Sequence, residues 1–351
     1  MSPAIRHLVV RAPNWVGDLV MATPILEGAL EARARGSFER VTIAVRSHLR
    51  DVLADGPCEP HVLALDSGSE VRQLRELGAD AALLLSSSFG AARRARRAGI
   101  PLRAGAALSG RAWLLTHRVV PPRRDGRRVA IPTAHLLRDV AGLLGILVPS
   151  LHPRLYLTDA LRARERTRLF GLGLDSAEGY VFCAPGAAFG AAKLWPARSF
   201  AAALDALHAR HGLRAVVSGG PGEEPEIEAV RRACRHGALS LAGEERDLRG
   251  LKALVADAAL CLVGDSGPRW YAAAFEVPCV SVMGPNFPEL TASSLEHCEV
   301  VRHEGLECSP CLERRCPLGH HRCMEELGPE RVVAAAERLF ARSPRPVLEP
   351  A

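Results

Sequence analysis

Lysine is almost missing from this chain: among 351 residues only Lys193 and Lys252 stand beside 43 arginines. The bias fits a GC-rich genome and singles out the two positions that remain lysine. Aromatic residues are 5%, too few for an evident series of base-stacking platforms. No uncharged apolar run reaches the roughly 18 residues of a membrane helix. The longest candidate, 140–153, is too short and holds two Gly, a Ser and a His. Residues 1–10 contain no apolar core of signal-peptide length, which argues against export. No repeat recurs at a fixed period. Gly 31 and Pro 25 make up about 16%, too little for a low-complexity chain. What remains is an ordinary globular composition, 48% hydrophobic and 24% charged, with length for roughly two domains. In a reducing compartment the ten cysteines form few disulfides, and a cluster of them reads first as a metal site.

Charge is uneven along the chain. Residues 1–150 carry 21 Arg, no Lys and 13 acidic residues, a net of +8. The remainder carries 24 basic and 26 acidic residues, a net of −2. A basic first half points to an anionic partner: nucleic acid, a membrane surface or a phosphorylated acceptor. No nucleic-acid-binding motif accompanies the charge, so nucleic acid fits least.

Short apolar runs at 8–12, 41–45 and 81–85 predict buried strands, with helices over 17–35 and 134–146. The arginines at 123, 124, 127 and 128 sit beside Pro121, Pro122 and Gly126 and predict a loop. A Pro- and Gly-bearing break over 150–178 marks the linker, and we divide the chain into 1–165 and 166–351. Strands then resume at 180–184, 214–218, 259–263 and 278–283, with a helix over 199–211. This alternation predicts two doubly wound α/β domains with parallel sheets.

In such sheets ligands bind beyond the carboxyl ends of the strands, and the unusual residues of this chain lie there. Asn14, Trp15, Gly17 and Asp18 follow the first strand. The run 185–196, PGAAFGAAKLWP, follows the strand at 180–184 and contains Gly186, Ala187, Ala188 and Lys193. Gly219, Gly220, Gly222 and Glu223 follow the next strand, Gly264, Asp265, Ser266 and Gly267 the one after, and Gly284 and Pro285 the strand at 278–283. Glycine-bearing turns leave backbone N–H groups free to bind phosphate, so four in one domain point to a nucleotide or sugar-nucleotide. Asp18 reads either as a helix N-cap or as a general base kept ionised by a helix start. Lys193 reads as a surface lysine or as the cation of a diphosphate site. Glu223 reads as a cap or as a ribose ligand. Trp195 reads as a packing residue at a helix entry. Cys308, Cys311, Cys316 and Cys323, with His320 and His321 among them, allow a structural Zn²⁺ site first, an iron–sulfur cluster second, or simply reduced thiols or a disulfide formed on isolation.

Three segments in the expected order carry a family resemblance. Residues 13–24, PNWVGDLVMATP, resemble the amino-terminal motif of the glycosyltransferase family 9 heptosyltransferases. Residues 185–196 and the GDSG at 264–267 resemble that family's donor loops. The run 308–324 resembles the tail of its lipopolysaccharide heptosyltransferase II branch. The resemblance spans about residues 7–335. It implies a GT-B fold, two Rossmann-like domains facing a cleft, with acceptor in the first and ADP-L-glycero-D-manno-heptose in the second. It also implies inverting transfer without a catalytic metal, onto heptose I of the lipopolysaccharide inner core, by an enzyme peripheral to the cytoplasmic face of an anionic membrane. By the resemblance Asp18 is the general base, Lys193 binds the diphosphate, Asp265, Ser266 and Gly267 form the phosphate turn, and Glu223 lies at the ribose. One departure stands out. The family continues from its D-[ST]-G through two residues to a His, whereas this chain has Pro268, Arg269 and then Trp270. The change leaves open a different nucleotide sugar, or a degenerate site that binds donor without activity.

Overall fold

The structure, a computed structural model, describes residues 5–175, 179–244 and 247–342. The first sheet contains His7–Arg11 (β1), Arg40–Arg46 (β2), Val62–Leu65 (β3), Ala81–Leu84 (β4), Leu102–Ala106 (β5) and His117–Val119 (β6). All are parallel, in the order β3-β2-β1-β4-β5-β6. Central strands β1 and β4 are buried along their whole length, so they read as continuous apolar runs and not as alternating ones. Val10 lies opposite both Ile43 and Leu83.

After an antiparallel hairpin of Arg123–Arg124 (β7) and Arg127–Arg128 (β8), a second sheet repeats the plan. Its strands are Tyr180–Ala184 (β9), Arg214–Val217 (β10), Ala238–Ser240 (β11), Leu260–Gly264 (β12), Cys279–Val282 (β13) and Cys298–Val301 (β14). The order is β11-β10-β9-β12-β13-β14, again parallel. The chain divides into two compact units, one running to Tyr156 with Glu289–Ser293 added, the other comprising Leu157–Pro288 and Ser294 onward. The doubly wound α/β class is as the sequence implies. In each sheet the order reverses between two central strands, β1 and β4 or β9 and β12, and that reversal opens a crevice at their carboxyl ends.

The core of the second unit follows from helical spacing. Phe200, Leu204 and Leu207 line one face of the helix Ala197–His211 and are buried with Val332 and Leu339 of Pro329–Arg342. Each such side chain contributes about 1.5–3 kcal/mol through burial. Gly212 ends the first of these helices in the left-handed region, where a glycine carries no Cβ penalty.

Three expectations are corrected. The helix predicted over 17–35 is two helices, Val16–Met21 and Thr23–Ala34, because Pro24 lacks the N–H an interior turn requires and instead starts a new helix. The helix predicted over 134–146 ends at Gly142, with Gly145 turning left-handed beyond it. The arginines at 123–128 form the hairpin, turned by Asp125 and Gly126 with φ of 51° and 75°. Those are the angles of a tight hairpin turn, which Asp-Gly favours. Among the described residues no helix is long and apolar enough to cross a membrane.

Candidate active site

In the first unit the site grows from the end of β1. Arg11, an arginine inside an apolar strand, is fully buried and donates from Nε to Glu70 at 2.9 Å. Its Nη2 donates to Asn14 Oδ1 at 2.8 Å, and Asn14 Nδ2 donates to Ser86 Oγ at 3.0 Å. Asn14 therefore ties the ends of β1 and β4 across the reversal of strand order. Glu70 is itself buried and also meets Arg46 at 3.2 Å and Arg94 at 2.7 Å. Burial lowers the pKa of Arg11, and Glu70 opposes that shift. Removing one carboxylate shared by three guanidinium groups leaves buried charge uncompensated. Glu70→Ala is thus expected to cost about 3–5 kcal/mol of stability in urea denaturation. A loss below about 1 kcal/mol would mean that water already solvates the arginines.

Arg111 lies deeper still. It donates from Nε to Ala106 O at 2.9 Å and from Nη1 to the carbonyl oxygens of Ser86 and Ser88. Burial alone pushes its pKa down to about 10. It fixes the turn after β4 that presents Ser86 to Asn14.

Asp18 is not the N-cap that one reading of the sequence gave it. Trp15 occupies that position, half exposed, and Asp18 is the third residue of Val16–Met21. Its carboxylate is half-buried in the first helical turn, in the field of the helix start. Gly17 lies between them, at the second position.

In the second unit the residues at the strand ends converge. Lys193 Nζ lies 2.6 Å from Asp265 Oδ2, although 72 residues separate them in the chain. Asn286 Nδ2 donates to the same Oδ2 at 2.7 Å. The Lys193 ammonium also sits 4.8 Å from the centre of the Phe189 ring. Asp265, expected in a phosphate turn, thus faces the lysine and orients it. Asn286 was not anticipated, though it follows the Gly284-Pro285 turn that the sequence does mark. Ser266 Oγ donates to Gly264 O at 3.4 Å, and Gly267 caps the helix Pro268–Ala274.

Gly186 and Glu223 also come together. Glu223 accepts the Gly220 N–H at 2.6 Å. A Cβ on Gly186 would overlap the Glu223 carboxylate, so a larger residue there requires that carboxylate to move. Gly186→Ala is expected to displace the Glu223 carboxylate and break its bond from the Gly220 N–H, lowering stability by about 1 kcal/mol. Urea denaturation checks it; unchanged stability would show that the carboxylate swings aside without loss. Ala187 is half-buried and Ala188 exposed on the same loop.

Trp270 is buried, with the Arg269 guanidinium over its ring at 4.5 Å. Arg269 is itself buried and donates from Nε to Cys298 Sγ at 3.4 Å. Trp195 packs edge-on against Phe200 and donates Nε1 to Leu327 O at 2.9 Å, a packing residue at a helix entry as the sequence suggests.

Cys308, Cys311, Cys316 and Cys323 line one cavity with His320 and His321. Backbone N–H groups of residues 318–321 lower the pKa of Cys316, whereas burial pushes Cys323 up to about 11. Among the described residues no group of three or more His, Cys, Asp or Glu is arranged to hold a metal ion. Cys323 also feels the other three thiols, Cys308, Cys311 and Cys316, which raise its pKa further. The segment also buttresses the 185–196 loop. His321 Nε2 is 2.9 Å from Ala192 O, and Ala192 N donates to Arg314 O at 3.0 Å.

A family model described as glycosyltransferase family 9 (heptosyltransferase) matches residues 68–322. Lipooligosaccharide heptosyltransferase 2 of Campylobacter jejuni subsp. jejuni serotype O:2 is 30% identical over 162 residues, 45% of this chain and 50% of the relative. The chain thus spans about half the length of that curated relative. Lipopolysaccharide heptosyltransferase 2 of Escherichia coli K12 is 25% identical over 357 residues, covering 95% of this chain and 98% of the relative. The solved structure of the E. coli ADP-heptose LPS heptosyltransferase II superposes with a TM-score of 0.76 at 23% identity, covering 97% of this chain and 100% of that chain. The shared architecture is the GT-B fold, two parallel six-stranded sheets with flanking helices.

Proposed function

Because this chain belongs to glycosyltransferase family 9, we propose that it is an inverting heptosyltransferase. Its donor is ADP-L-glycero-D-manno-heptose and its acceptor is heptose I of the lipopolysaccharide inner core, carried on Kdo–lipid A. The first unit takes the acceptor and the second takes the donor. The names of the relatives support the sugar and the acceptor class. The observation that carries the chemistry is the Lys193–Asp265–Asn286 cluster at the strand ends of the second sheet, a cation poised beside glycine-bearing turns.

In the proposed reaction Asp18 accepts the proton of the acceptor hydroxyl as its oxygen attacks the anomeric carbon. The bond from that carbon to the phosphate oxygen breaks, and ADP leaves with the electron pair. Lys193 and backbone N–H groups of the 186–190 turn stabilise the charge that develops there, so no divalent ion is needed for that task. One displacement inverts the anomeric centre through an oxocarbenium-like transition state. Gly186, Ala187, Ala188 and Glu223 surround the nucleotide, Ser266 and Gly267 approach the phosphates, and Asn14, Trp15 and Gly17 border the acceptor. The enzyme works at the cytoplasmic face of the membrane, where its lipid-anchored acceptor lies.

A second reading, another nucleotide sugar on the same fold, is favoured by Trp270 in place of the family's His. Calorimetric titration with ADP, ADP-heptose, UDP- and GDP-sugars separates the two. Selective binding of ADP and ADP-heptose supports the first reading; preference for another nucleotide supports the second.

A further inference from the structure

Phe89 and Trp113 are large aromatic side chains held in solvent, 39% and 63% exposed, with ring centres 6.2 Å apart. Phe89 opens the helix Phe89–Arg97 after β4, and Trp113 lies in the turn Ala112–Leu114 after β5. Both therefore sit at the carboxyl edge of the first sheet, three residues from Ser86 in the case of Phe89. The helix contains four arginines and no acidic residue. Arg94 turns inward to Glu70, while Arg93, Arg96 and Arg97 are exposed. Arg96 lies over the Trp113 ring at 5.2 Å, and Arg118 donates to Ala112 O at 3.4 Å beside it.

We propose that this patch, Phe89 and Trp113 ringed by Arg93, Arg96, Arg97 and Arg118, docks the protein onto an anionic lipid headgroup layer. The Trp113 indole, apolar with a polar N–H, suits the boundary between headgroups and acyl chains, Phe89 adds apolar area beside it, and the arginines gain from the negative surface potential. A nucleic acid fits less well, because the two rings are tilted by 54° and offer no pair of parallel faces for stacked bases. The patch rests on the proposed acceptor only for the choice of lipid. It would bring the carboxyl edge of the first sheet, with Asn14 and Ser86, down to the layer from which a lipid-anchored sugar projects.

The test is co-sedimentation of the full chain with phosphatidylcholine vesicles with and without phosphatidylglycerol, at low salt. These contain no donor and no sugar acceptor, so the result is independent of the transfer reaction. Wild type is expected to partition onto the anionic vesicles and to lose most binding in high salt. The triple variant Arg93→Gln, Arg96→Gln and Arg97→Gln should lower partitioning on the order of 100-fold. The pair Phe89→Ala and Trp113→Ala should lower it roughly tenfold, with Trp113→Phe restoring part of the loss. The variant Arg123→Gln with Arg124→Gln, in the hairpin, should bind nearly as wild type, and thermal melts of all variants confirm folding. The proposal is overturned if wild type shows no preference for anionic vesicles, or if folded patch variants bind as wild type does. Loss through the hairpin variant alone would overturn it too, as would competition by duplex DNA through the same patch residues.

Discussion

Asp18→Asn is expected to lower kcat by a factor of about 10² to 10⁴ with ADP bound almost as tightly as before. The substitution keeps the shape of the side chain and removes its capacity to take a proton. Two features make Asp18 suited to that task. It sits in the first turn of Val16–Met21, where the aligned peptide dipoles favour an ionised carboxylate. It also follows β1 at the reversal of strand order, where open α/β sheets place ligands. A purely structural role predicts a different pattern. Losing a favourable carboxylate at a helix start costs about 0.3–1 kcal/mol of stability and leaves turnover nearly unchanged. Measuring kcat, ADP affinity and the melting temperature on one preparation separates the two. A lower Tm with unaltered kcat would reduce Asp18 to a helix-start residue and leave the proposed mechanism without its base.

Lys193→Ala is expected to weaken ADP binding about 10- to 100-fold, since a hydrogen bond to a charged group contributes about 1.5–3 kcal/mol. The interaction with Asp265 sharpens this expectation. At 2.6 Å the carboxylate holds the ammonium in place, and Asn286 holds the carboxylate. Asp265→Asn should therefore also weaken ADP binding, by less, through loss of orientation. In a double-mutant cycle the loss from Lys193→Ala should shrink in the Asp265→Asn background, because the two residues act as one unit. Strict additivity would show that Asp265 contacts the donor on its own account. Unchanged ADP affinity in Lys193→Ala would remove the lysine from the donor site.

The two-sheet plan and the strand-end placement of candidate residues were legible because both follow from local pattern. Buried parallel strands such as β1 and β9 are continuous apolar runs, and the glycine turns after them stand out. Strands β3, β5, β6, β11 and β14 escaped the reading. They are short and only partly buried, and β5 carries Arg103 and Gly105 within five residues. The sequence offered Lys193 and Asp265 separately; only the fold shows that they touch, since parallel pairing of β9 with β12 brings their loops side by side. Arg11 and Glu70 were hidden by the same kind of distance, 59 residues, though a charge inside the apolar run at 8–12 was a usable signal. The spacing of Cys308, Cys311, Cys316 and Cys323 was a usable signal that they come together, and the fold brings all four to one cavity with His320 and His321. The Asp125-Gly126 turn was readable, and the arginines around it obscured it.

The central claim is heptose transfer from an ADP donor, and mass spectrometry of the acceptor tests it most directly. Purified protein is incubated with ADP-heptose and a Kdo–lipid A acceptor bearing one heptose, with UDP- and GDP-sugars as parallel donors. The expected result is an acceptor heavier by one heptosyl residue and one equivalent of ADP, formed from ADP-heptose alone and abolished by Asp18→Asn. An unmodified acceptor in the presence of bound ADP-heptose, or transfer from a UDP- or GDP-sugar instead, would contradict it.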